Sequence, residues 1–148
     1  MKIDDQVEQR VRGALHWIVK EQEDKFTAAL QAFPDDASRR AALELLVAIA
    51  RYVIVEAYSG RPSVDEVQDL AGVIADAESW LPLSRPEVEQ YLQAVLTGSP
   101  LIEHLEPEAA VVLAFAVAGS LLASRSQPSG EWWFNYLDKV EAAIEAAG

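Results

Sequence analysis

The chain has 148 residues, of which 51% are hydrophobic, and it carries 24 acidic against 12 basic side chains for a net charge of −12. That length suits one domain with a real core, and that composition excludes wholesale disorder. The charge argues against a phosphate-backbone binder and an anionic membrane surface, and the absence of cysteine excludes disulfides, thiol nucleophiles and cysteine metal sites.

The N-terminus, MKIDDQVEQR, lacks the apolar run of a signal peptide, so the expected compartment is the cytoplasm. The first predicted helix runs from Asp4 to Phe33. Val7, Val11, Ala14, Leu15, Ile18, Phe26, Ala29, Leu30 and Phe33 form its apolar stripe, with Gln22 as the one polar member. Gly13 is its weak point and Pro34 its stop.

The second helix spans 36–59, with Asp35 or Asp36 as its cap and Gly60 closing it. Leu43, Leu46, Val47, Ile49, Ala50, Val53, Ile54 and Ala57 cover a broad arc, while Leu45 and Val55 fall outside it. Two shorter helices follow, each opened by a capping box, Ser63-x-x-Glu66 and Ser84-x-x-Glu87. The first of them ends near Ala77 and the other stops at Gly98. Trp80 and Pro82 sit in the linker between them.

Pro107 opens the fifth helix, 107–123, whose stretch AAVVLAFAVAGSLLA carries no charge. Such a segment in a water-soluble chain must be hidden on nearly all sides. One side is bulky (Val111, Phe115, Leu122). The other is mostly small (Ala109, Ala116, Gly119, Ser120, Ala123) and lets a neighbouring backbone come close; the second helix is the expected neighbour. The sixth helix, Glu131 to Ala147, is capped by Ser129. Trp132, Trp133, Tyr136, Leu137, Val140, Ala143 and Ile144 form its core stripe, and Phe134 lies among Glu131, Asp138, Glu141 and Glu145. The expected fold is therefore all-α: a single-domain bundle of about six helices spanning 1–148, with helices 36–59 and 107–123 at its centre.

The candidate sites are sparse. No phosphate-binding loop, zinc-protease motif or nucleophile elbow occurs. His16 stands between Arg12 and Lys20, two cations that repel a metal. His104 sits among Glu103, Glu106 and Glu108, but Pro107 breaks any helical register there. We therefore expect no metal and no cofactor. Glu56 lies one turn after Tyr52 at the edge of an apolar arc, where burial would raise its pKa and suit it to proton transfer, or where an ion pair would hold it. Tyr52, Glu56, Tyr58, Trp80 and Tyr91 are candidates to line a pocket between helices. Phe134, on an acidic face, and Trp17, off the first helix's stripe, are the candidate partner contacts.

Three functions follow from these residues. The first is a non-enzymatic interaction module of immunity, regulatory or adaptor type, with a basic protein partner and homodimerisation through one of the two apolar helices. The second is a small-molecule binding domain with an apolar pocket. The third is an enzyme built on Glu56 or the His104 cluster, which the missing signatures disfavour. Neither nucleic acid nor membrane is an expected partner.

Overall fold

Four short polar side chains start helices. In the computed structural model, which describes residues 1–99, 107–124 and 132–147, Asp4 caps α1 (Asp5–Val19) and Asp35 caps α3 (Asp36–Tyr58). Ser63 caps α4 (Val64–Ala77) and Ser84 caps α5 (Arg85–Thr97). Each side-chain oxygen accepts from a backbone N–H that the first turn leaves without a helical partner. Both predicted capping boxes form: Glu66 accepts from the Ser63 N–H at 2.9 Å, and Glu87 from the Ser84 N–H at 3.1 Å. With α2 (Glu23–Gln31), α6 (Pro107–Ser124) and α7 (Trp133–Ala146), the described residues form an all-α fold of seven helices.

The seventh helix comes from a break in the predicted first one. The chain reverses at residues 20–22, where Glu21 adopts a left-handed φ of 55°. Its N–H donates to the Ile18 carbonyl at 3.1 Å, and the Gln22 N–H donates to the Trp17 carbonyl at 3.0 Å. These are the paired bonds of a Schellman ending, here without glycine. Gly13, the expected weak point, stays helical. The reversal serves packing. A continuous helix of about 30 residues would run some 45 Å, well beyond the ~27 Å of α6. Folded back, Phe26 and Phe33 both reach the Phe115 ring, at centroid distances of 5.6 and 6.4 Å.

α6 is the axis of the bundle, and α1, α3, α4, α5 and α7 all pack against it. Every residue from Leu113 to Leu122 is buried. By length and composition alone α6 would suit a membrane span, yet most of it is enclosed by the fold. Its small side meets α1 at Gly119. A Cβ built on Gly119 would lie 2.5 Å from Ile18 Cγ2, so this contact belongs to α1 rather than to the helix first expected there. α3 packs on α6 as predicted, and its Leu45, expected outside the apolar arc, is buried by neighbours on that flank. At the end of α3, Ser59 rather than Gly60 takes the left-handed position, with φ 54°.

Arginines tie helices whose apolar faces do not cover everything. Arg51 of α3 donates twice to the Val95 carbonyl, at 3.0 and 2.6 Å, near the open end of α5. Arg85 of α5 donates to the Gln68 carbonyl of α4 at 3.1 Å, its guanidinium lying against Gly72. Both bonds are charge-assisted, and the one from Arg51 also places a cation at the negative end of α5.

Candidate functional site

The N-terminal end of α7 carries the largest exposed aromatic group among the described residues. Trp132 occupies the cap position, and its N–H donates to Asn135 Oδ1 at 2.9 Å. The indole offers no acceptor in return, so only half of a reciprocal capping box exists. Because Trp132 precedes the first helical residue, its side chain escapes the helical register. It is 63% exposed, where the sequence pattern had put it in the core stripe. It stacks on Phe134, itself 39% exposed, with ring centroids 6.3 Å apart and planes 4° from parallel. Trp133 meets Phe134 edge-on at 5.8 Å and anchors the group to the core. Ser129, the expected cap, and Glu131 lie outside the described residues.

One turn further along α7 an acidic cluster surrounds Arg12 of α1. Its guanidinium contacts Glu8 at 2.7 Å, Asp138 at 2.7 Å and Glu141 at 3.1 Å. It also donates to the Phe134 carbonyl at 3.5 Å, which joins the cluster to the aromatic group. Glu141 was expected on the solvent face beside Phe134. Instead it is buried, because the covered face of α7 widens to include Tyr136, Leu137, Val140, Glu141 and Ile144. Its Oε2 is enclosed without a hydrogen-bond partner. Burial, and then the neighbouring Glu8, push its carboxyl up to about 7. A second buried acid, Glu78 at the end of α4, accepts from the Trp80 indole at 2.7 Å. Burial raises it to about 7 as well, with the Glu21 carboxylate adding repulsion.

The other predicted residues are dispersed. Trp17 is half-buried, edge-on to His16 and covered by the Lys25 ammonium 4.6 Å from its ring centroid. It thus belongs to the α1–α2 hairpin, while Phe134 belongs to the α7 group. Glu56 Oε1 accepts from the Tyr136 hydroxyl at 2.7 Å, and a hydrogen bond to Glu56 raises the Tyr52 phenol. These partners stabilise the carboxylate as an acceptor. Tyr58 stands at the end of α3 near Glu66 and Asp69. Tyr91 is wholly buried in α5, its hydroxyl without a partner. None of these five lines the main apolar groove. That groove, about 630 Å³, runs between α2, α3 and the start of α6 over Leu30, Phe33, Leu43, Val111, Val112 and Phe115. Arg39 and Glu108 stand among its polar lining residues. His104, Glu103 and Glu106 lie outside the described residues, among which no cluster of three or more metal-ligating side chains occurs.

No family model matches this chain, and no curated protein or solved structure matches it at a significant level. The buried acids were the residues that sequence reasoning missed. The available signal for Glu141 was its place four residues after Leu137 and one after Val140, on the edge of an apolar stripe.

Proposed function

We propose that this protein is a non-enzymatic interaction module whose contact surface is the aromatic group at the start of α7. The observation that carries this reading is the stacked, solvent-facing pair Trp132 and Phe134 beside the exposed carboxylate of Asp138. Large aromatic rings supply much of the energy of protein interfaces, and a carboxylate flank selects a basic counterpart. The net charge of −12 adds long-range attraction for the same partner. The test is affinity capture at low salt with the wild-type chain and with a Trp132→Ala/Phe134→Ala double variant. A basic protein retained by the first, lost by the second and released by moderate salt supports the reading. Equal retention by both chains refutes it.

The groove over Phe115 favours a second reading, a small-molecule site. Its volume of about 630 Å³ falls in the range of ligand pockets, ~300–1,000 Å³, and most of its lining is apolar. A thermal shift with an apolar ligand set, abolished by Val112→Trp at the groove wall, would favour it over the aromatic surface.

A further inference from the structure

Among the described residues, two of the three buried polar side chains lie where the α1–α2 hairpin meets the rest of the bundle. Glu141 of α7 faces Glu8 and Arg12 of α1, with Asp138 beside it on its own helix. Glu78, after α4, faces Glu21 in the turn between α1 and α2 and the Trp80 indole. At the first seam three carboxylates share one guanidinium, and one enclosed oxygen has no partner. A proton on Glu141 would turn that partnerless oxygen into a donor and remove its repulsion from Glu8. At the second seam Glu78 is 6% exposed and forms no ion pair with a described residue. With every carboxyl ionised, the first seam sets three negative charges against one positive, and the second sets Glu78 against Glu21. The first meets the N-terminal half of α1 and the second the turn that follows it, and between them Ile18 of α1 covers Gly119 of α6.

We propose that the α1–α2 hairpin is a cover over α6, latched at its two ends by a proton on Glu141 and a proton on Glu78. Loss of these protons sets Glu141 against Glu8 and Asp138, and Glu78 against Glu21. Arg12 offsets part of the first repulsion; at the second the Trp80 N–H donates to Glu78. The cover is therefore tight in mild acid and loosens toward neutral pH. The direction follows from proton binding. Each carboxyl holds its proton up to about pH 7 when closed and only to about pH 4–4.5 when released into water. The closed form binds more protons between those limits, so rising pH favours opening there and has no further effect above them. What opening bares is the small-residue side of α6 around Gly119.

Hydrogen–deuterium exchange of the full chain at pH 5, 6, 7 and 8, corrected for intrinsic exchange, tests the latch. Protection of α1, α2 and the Gly119 side of α6 should fall with rising pH, by at most about tenfold per unit for each proton released, and level off above pH ~7.5. Protection within the α4–α5 pair should change less. A Glu78→Gln/Glu141→Gln chain should give a flat profile. If that chain does not fold, Glu8→Gln/Glu21→Gln removes the repelling partners and should shrink the fall. A flat wild-type profile, an unchanged slope in the folded variant, or equal loss in every helix would overturn the proposal.

Discussion

The contact between Gly119 and Ile18 gives a sharp test of how α6 is packed. Alanine at a helical glycine gains about 0.5–1 kcal/mol from backbone entropy alone. At Gly13 of α1 a new Cβ meets nothing within 4 Å, so Gly13→Ala should stabilise by that amount. At Gly119 the new Cβ would lie 2.5 Å from Ile18 Cγ2 and 3.2 Å from Ile18 Cβ. Ile18 is fully enclosed and β-branched, so it has little rotamer freedom with which to retreat. Overpacking of this kind costs about 1–3 kcal/mol. The two alanine variants should therefore differ by roughly that cost, or about 2–12 °C in melting temperature for a chain of this size. Ile18→Leu keeps the side-chain volume but removes the branched γ2 methyl. Combined with Gly119→Ala it should recover most of the loss, a coupling that a double-mutant cycle in urea would measure. The packing account fails if Gly119→Ala melts as high as Gly13→Ala, or if Ile18→Leu leaves the deficit untouched.

Other substitutions probe the polar groups. Tyr91→Phe removes a buried hydroxyl that lacks a partner and should raise stability by up to about 1–2 kcal/mol in chemical denaturation. Arg12→Met should cost about 2–3 kcal/mol at pH 8, because three carboxylates lose their shared cation, and less at pH 5, where Glu141 keeps its proton. A loss independent of pH would contradict the described ion pairs. Ser59→Gly should stabilise by about 0.5–1 kcal/mol, since the left-handed φ of 54° suits glycine better than serine.

Much of this architecture was legible in the sequence, and the reasons are local. Ser63, Glu66, Ser84 and Glu87 announce two helix starts at fixed spacing, and the structure makes those bonds. The uncharged run from Ala109 to Ala123 had to be covered, by the fold or by a second copy, and the structure covers most of it within the bundle. The reversal at Glu21 was hidden because a glutamate carries a turn that usually advertises itself with glycine. What the reversal brings together, Phe26 and Phe33 on the distant ring of Phe115, is contained in no local pattern. Trp132 misled for a related reason: one residue before a helix begins, helical spacing no longer says where a side chain points. Glu141 escaped because its burial depends on Arg12, on a helix far away in sequence.

That last kind of dependence bears on how the chain acquires its shape. Ile18 and Phe26 find their seats on a helix encoded about a hundred positions later. During synthesis, at ~5–20 residues per second, the opening third of the polypeptide must wait for α6 to emerge before its own greasy side has anything to rest on. Contacts so distant along the chain also slow the search for the native arrangement compared with a bundle of nearest neighbours. A nascent chain halted before Pro107 is thus an intermediate with an unfilled axle, and a natural client for chaperones.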